Sequence, residues 1–92
     1  MSITVGGITF DHSRYDAGGD VLYLHAGAPA EAANSRETPE GHVVRYDAAG
    51  RVIGLTILGA QALLERDGEI SLTLPALRLD ADTIRPALTV VP

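Results

Sequence analysis

The chain has 92 residues, a net charge of −5, no cysteine and no lysine. That excludes a disulfide framework and a thiolate zinc site. The acidic balance, with seven scattered arginines, argues against direct binding of nucleic acid, and no apolar run approaches the ~20 residues that span a bilayer.

A composition of 46% apolar and 21% charged residues fits one globular domain over residues 1–92. The opening Met1-Ser2-Ile3-Thr4-Val5 lacks the basic and apolar regions of a signal peptide, so a cytoplasmic location is the expectation. One Phe, three Tyr and no Trp leave a thin aliphatic core. A chain of this size buries only about two-thirds of its unfolded surface. Both features favour a homodimer.

Ile3-Thr4-Val5 and Ile8-Thr9-Phe10 flank Gly6-Gly7, a tight hairpin signal. The register places Val5 against Ile8 and Ile3 against Phe10. The second strand can run on through Asp11-His12-Ser13-Arg14-Tyr15 into a corner, Arg14-Tyr15-Asp16-Ala17-Gly18-Gly19-Asp20-Val21-Leu22. That corner returns as Arg45-Tyr46-Asp47-Ala48-Ala49-Gly50-Arg51-Val52-Ile53, with six of nine positions identical at an offset of 31 residues. In each copy Asp accepts hydrogen bonds from the backbone ahead of it, and Gly19 or Gly50 takes the left-handed conformation that closes a three-residue loop. Built alike, the corners set Asp16 against Asp20, Tyr15 against Val21, Asp11 against His25, and Asp47 against Arg51.

Val21–His25 reads as the next strand. Residues 27–41 show no periodicity and read as a long variable surface loop, with room for a helical turn around Ala30–Asn34. His42–Tyr46 leads into the second corner. Val52–Leu58, apolar at nearly every position, is the expected central strand. Its Ile53, Leu55 and Ile57 alternate with Val52, Gly54, Thr56 and Leu58. Ala60, Leu63 and Leu64 then change the period to that of a helix over 60–66, stopped by Gly68. In the extension over 69–92, Ile70, Leu72 and Leu74 alternate as a strand ended by Pro75. Leu77 and Leu79 suit an edge, Asp80–Ile84 a capped helical turn, and Thr89–Val91 a last extended segment. The fold class is therefore α+β, mostly β: an antiparallel meander of hairpins, five to six strands, with one short helix packed on the sheet.

Two stretches carry a family resemblance: Tyr15-Asp16-x-x-x-Asp20-Val21-Leu22-Tyr23-Leu24 and Tyr46-Asp47-x-x-Gly50-x-Val52-Ile53-Gly54-Leu55-x-Ile57-Leu58. The chain resembles, over roughly residues 8–66, a small prokaryotic family called "domain of unknown function 2283". Gly19 departs from the Ala that members often carry. The resemblance implies a small antiparallel α+β domain and no particular activity.

The chemistry-bearing residues are few. Asp11, Asp16, Asp20, His25 and His42 form the candidate surface; Asp16, Gly19, Asp47 and Gly50 are read as structural turn positions. Asp16 and Asp20 offer too few oxygens for a hard cation, and the commoner reading has Asp16 capping its own turn with Asp20 in solvent. The three histidines lack metal-ligand spacing. Asp11 opposite His25 could orient an imidazole as a base, although no nucleophile stands beside it. Glu37, Glu40 and His42 could edge a groove, while a solvated strand entry is the plainer account. Tyr15 and Tyr46, at matching positions, suggest equivalent packing; with Tyr23 they could form a recognition surface.

No catalytic, cofactor or metal set emerges. The leading functional expectation is a non-enzymatic, self-associating interaction module. It carries a homodimer and a protein partner, antitoxin-like in its most specific version, with an acidic chain facing a basic one. The competing expectation is a small enzyme or a ligand or metal binder using Asp11, Asp16, Asp20 and His25 at one end of the sheet.

Overall fold

The computed structural model describes residues 2–27, 34–73 and 76–88. The expected helical turn at Ala30–Asn34 mostly, and the end of a strand at Leu74-Pro75 and the segment Thr89–Val91 wholly, lie outside the described residues.

β1 (Ile3–Val5) and β2 (Ile8–Phe10) form a two-stranded hairpin in the expected register, Ile3 against Phe10 and Val5 against Ile8. Gly6 and Gly7 both have positive φ, 57° and 81°, as a two-residue turn matched to strand twist requires. Gly6 has a second reason to lack a side chain: a Cβ there would meet Leu77 Cδ2 at 2.6 Å.

The central sheet is antiparallel, with β3 (His12–Asp16), β4 (Val21–His25), β5 (Asn34–Glu37), β6 (Val43–Tyr46) and β7 (Val52–Leu58) in the order β3-β4-β7-β6-β5. β7 is the middle strand, as its apolar run predicts. It is inserted between β4 and β6. β8 (Glu69–Leu72) and β9 (Leu77–Asp80) form a third small hairpin. The α+β, mostly β class holds, with helices α1 (Ala60–Asp67) and α2 (Ala81–Ile84) and a 3-10 turn over Arg85–Leu88. α2 opens on Asp80, whose carboxylate accepts from the Thr83 amide at 2.9 Å. α1 closes on Gly68 in the left-handed conformation, its amide on the Leu64 carbonyl.

Several expectations need correction. β2 and β3 are separate strands in different sheets, with Asp11 between them. The first corner is not built like its twin. Asp16 pairs with Val21, Tyr15 with Leu22 and His12 with His25, one residue away from the expected pairs. The loop is therefore four residues long, and its left-handed residue is Asp20 (φ 54°), not Gly19. Gly19 lies close under the turn cap instead: a Cβ there would stand 3.3 Å from the Asp16 carboxylate, which would have to give slightly to admit it.

The second corner is as expected. Asp47 donates its amide to the Arg51 carbonyl at 2.9 Å, Gly50 donates to Asp47 at 3.0 Å, and Gly50 has φ 81°. This is a type I turn closed by a glycine bulge. The 27–41 loop is also shorter than expected, because Asn34-Ser35-Arg36-Glu37 pairs with β6 as an edge strand. Its four side chains are all exposed, so no apolar alternation marks it.

One core unites the three sheets and the helices, with β5 outside it. Ile3, Val5 and Phe10 come from the first hairpin, Leu22, Leu24, Val44, Leu55 and Ile57 from the central sheet, and Ala60 and Leu64 from α1. Ile70, Leu72, Leu77 and Leu79 come from the last hairpin, and Ile84 and Ala87 from the segment after it. Each fully buried Leu, Ile or Phe among them contributes roughly 1.5–3 kcal/mol over its exposed state. The sheet residues in this set share one face. The N-terminal hairpin, α1 and the C-terminal elements all pack on that same face.

Candidate functional site

The opposite face follows from strand alternation. The cross-strand registers place Arg14, Tyr23, Thr56, Val43 and Glu37 in one row across all five strands. A second row holds His12, His25, Gly54, Arg45 and Ser35, and a third Asp16, Val21 and Leu58. None of these side chains belongs to the core cluster or to the partly buried residues packed on it. Tyr23 is 37% exposed and Leu58 48%, the two large exposed hydrophobic residues among those described. Val21, Val43 and Thr56 are half-buried beside them. The Arg14 guanidinium lies 5.3 Å from the Tyr23 ring centre, in cation–π range. His12 and His25 sit with ring centres 6.4 Å apart.

The expected alternation of β7 is broken at its start. A register shift between Arg45 and Tyr46 pairs Tyr46 with Val52, and both pack on the core. Val52 therefore does not share the open face with Thr56 and Leu58. Tyr15 and Tyr46 do play equivalent packing roles, both half-buried against the core. Tyr23 faces away from them, so the three tyrosines form no common surface.

The acidic candidates are spent on local structure, at opposite ends of the β3–β4 hairpin. Asp16 accepts the Gly18 amide at 3.1 Å, the turn cap expected of it. Asp20 is not left in solvent. Its carboxylate accepts from the Gln61 amide at 2.8 Å and the Ala62 amide at 3.1 Å, and from the Tyr15 hydroxyl at 2.7 Å. Its carbonyl takes the Gly59 and Ala60 amides. Helix α1 starts after Gly59, which has no side chain to cap it, so Asp20 supplies the missing acceptors from 41 residues away. Burial pushes the Asp20 carboxyl up, but the Tyr15 hydroxyl and the two helix amides outweigh it and hold it below the usual range. The same bond to Asp20 raises the Tyr15 hydroxyl to about 12.

At the other end of the hairpin, Asp11 accepts the Gly27 amide at 2.7 Å, and this bond is the main cause of its lowered pKa. His25 Nδ1 lies 3.3 Å from the Gly27 carbonyl, and His12 Nε2 3.9 Å from Asp11. Asp11 and His25 thus share a neighbourhood, while β3 runs between them and the Asp16–Asp20 corner, about 13 Å for four residue steps. His42 is apart from both, buried on the covered side. Among the described residues no group of three or more His, Cys, Asp or Glu could hold a metal ion, and no helix is long and apolar enough to cross a membrane. Asp47 closes its own corner, accepting from the Ala49 and Arg51 amides and from Arg51 Nε at 3.0 Å.

The model of the family described as "Protein of unknown function (DUF2283)" matches residues 12–61, more than half of the chain. The chain belongs to this family. Its matched region runs from the first residue of β3 to the Asp20-capped first turn of α1, so it includes every residue of the open face. Neither the curated proteins nor the solved structures give a match. The DUF2283 motif now has a physical reading: Tyr15 and Asp20 are the clamp that fixes α1 to the β3–β4 corner.

Proposed function

We propose that the chain is a non-enzymatic, self-associating module, and that the open face of the central sheet is the surface on which a second copy packs. The observation that carries this reading is the uncovered patch of Val21, Tyr23, Val43 and Leu58 on a sheet whose other face carries the core. Contiguous apolar surface of this kind marks interaction sites in soluble proteins.

The charges on the face favour a second copy over a basic partner. Arg14 and Arg45 balance Asp16 and Glu37, so the net charge of −5 resides elsewhere. An antitoxin-like surface for a basic protein would concentrate acid here. Two-fold symmetry also makes the face self-complementary. With β7 in the middle of the order β3-β4-β7-β6-β5, an axis parallel to β7 lays β3 over β5 of the partner subunit and β4 over its β6. Rows are preserved under that rotation. Arg14 then meets Glu37 of the partner subunit, Tyr23 meets Val43 of the partner subunit, and Leu58 meets Leu58 of the partner subunit. Sheet twist turns this stack by about 30°, the usual angle of aligned sheet packing. The contact is isologous and closes at two copies.

The acid and base candidates support the non-enzymatic half of the reading. Asp11, Asp16 and Asp20 each hold backbone amides. Charge exchange tests the geometry. Arg14→Glu should dissociate the assembly at micromolar concentration, read by sedimentation, and Arg14→Glu with Glu37→Arg should restore it. Failure of the double variant to recover association, with its fold intact by circular dichroism, would remove the proposed geometry.

A further inference from the structure

The rows of the open face differ in how their charges meet across the two-fold. In one row Arg14 finds Glu37 of the partner subunit. The next row reads His12, His25, Gly54, Arg45 and Ser35 across the sheet, and it holds no carboxylate. The rotation that lays β4 over β6 of the partner subunit sets His25 against Arg45 of the partner subunit, twice in each assembly. His12 meets Ser35 of the partner subunit, and Gly54 meets Gly54 of the partner subunit on the axis. Arg45 is available for that contact. Among the described residues it takes part in no ion pair. Its stem packs over Gly54, where an added Cβ would lie 3.6 Å from both Arg45 Cβ and Cδ.

The His25 imidazole suits an arginine in one protonation state only. Its Nδ1 lies 3.3 Å from the Gly27 carbonyl. A carbonyl only accepts, so the neutral ring carries its proton on Nδ1 and keeps a lone pair on Nε2. Arginine offers donors and no acceptor. The neutral ring therefore accepts from Arg45 of the partner subunit, whereas a protonated ring has no lone pair left and repels the guanidinium. A separate copy sets no such cation against His25. Its neighbours there are His12 on β3, with ring centres 6.4 Å apart, Gly54 on β7, and the Asp11 carboxylate, on which both imidazoles act. Arg14, one row away, lies over the Tyr23 ring. Asp11 stands 3.9 Å from His12 Nε2 and offsets the charge that His12 adds. Separate copies thus hold more protons than the assembly, in the pH range of 5 to 8 where imidazoles change charge.

We propose that His25 makes self-association pH-dependent: the neutral ring accepts from Arg45 of the partner subunit, and protonation of the ring drives the two copies apart. The inference rests on the two-fold stack proposed above. Its sign is opposite to that of bulk charge. Each copy carries −5 and nears neutrality as pH falls towards the isoelectric point of about 4.9, which by itself strengthens association. His42 is not the trigger. It is buried on the covered face, its Nδ1 accepts the Leu58 amide at 3.2 Å, and burial pushes its pKa down against a smaller pull from Glu40.

Sedimentation of the whole chain at pH 8 and pH 5.5, at equal ionic strength, tests the inference. One pH unit below the usual imidazole midpoint, at about pH 5.5, a contact that admits only the neutral ring is weakened about tenfold. With two such contacts, the dimer dissociation constant should rise about a hundredfold between pH 8 and pH 5.5. His25→Gln keeps an acceptor and takes up no proton, so its ratio between the two pH values should fall to one or below. Arg45→Gln removes the repelled cation and should flatten the ratio in the same way, while His12→Gln should retain it. Arg45 is exposed, so its variant decides the matter even where His25→Gln does not fold. Equal or tighter association of the unaltered chain at pH 5.5, or the full ratio persisting in His25→Gln or Arg45→Gln, would overturn the inference and leave the stack standing. A single 9.6 kDa species at both pH values would overturn the stack and the inference together.

Discussion

On the covered face of the central sheet, Leu22, Leu24, Val44, Leu55 and Ile57 are buried; one residue along the same strands, Val21, Tyr23, Val43, Thr56 and Leu58 are not. The two sets are similarly apolar. What separates them is what the rest of the chain brings. The β1–β2 hairpin, α1, the β8–β9 hairpin and the segment through Ala87 all converge on one side. Nearly all of that cover lies outside the family's matched region, residues 12–61, whereas the open face lies wholly inside it. An apolar pattern on a central strand therefore states that both faces want cover. It does not state that one chain provides both.

Substitutions that treat the two faces unequally sharpen this contrast. Leu55→Ala, on the covered face of the middle strand, should destabilise by about 3 kcal/mol through lost burial and a cavity, read as a shift in the urea midpoint. Asp20→Ala removes the side-chain acceptors of the Gln61 and Ala62 amides and of the Tyr15 hydroxyl, and puts alanine, which tolerates the left-handed region less well than aspartate, at φ 54°. Its cost should be about 2 kcal/mol. Asp20→Asn keeps the conformation and isolates the charge. The Asp20 carboxyl is depressed in the folded state, so its stabilisation is full above the unfolded value of about 4. That stabilisation is lost as pH falls through the folded value, and Asp20→Asn should flatten this acid limb of the stability profile.

Gly50→Val lies on neither face. With nothing within 4 Å of an added Cβ, it should cost about 1–2 kcal/mol from backbone strain alone. Leu58→Asp should change the stability of a single copy by no more than about 0.5 kcal/mol, yet abolish association, because it buries two carboxylates against each other. A loss comparable to that of Leu55→Ala would mean that Leu58 is covered within its own chain.

The sequence makes some of this legible for physical reasons. Local rules set the N-terminal hairpin, the second corner and the α2 cap, and these are as expected: Gly6-Gly7, Asp47 with Gly50, and Asp80 with Thr83 each find their partners within a few residues. The first corner fails the same rule because Asp20 answers to a distant helix. A signal for that existed. Leu58-Gly59-Ala60 offers α1 no capping side chain, so its first amides call for an acceptor from elsewhere. His42 had a signal too: it lies two residues before Val44, and strand alternation puts both on the covered face. β5 had none, since an exposed edge strand of Asn34-Ser35-Arg36-Glu37 needs no apolar period. The open face itself is readable in Thr56 and Leu58, but the side on which Val52 lies is not, because the register shift between Arg45 and Tyr46 is a tertiary feature.

The open face as a self-complementary surface is best tested by isotope-filtered NMR on a mixture of labelled and unlabelled chains. Within one copy, Tyr23 on β4 and Val43 on β6 are separated by β7, two strand spacings or about 10 Å. Across the proposed two-fold they touch. Filtered cross-peaks between the Tyr23 ring and the Val43 methyl groups, in a species of twice 9.6 kDa, are the predicted result. A 9.6 kDa species at the same concentration, or a dimer without those cross-peaks, would contradict it.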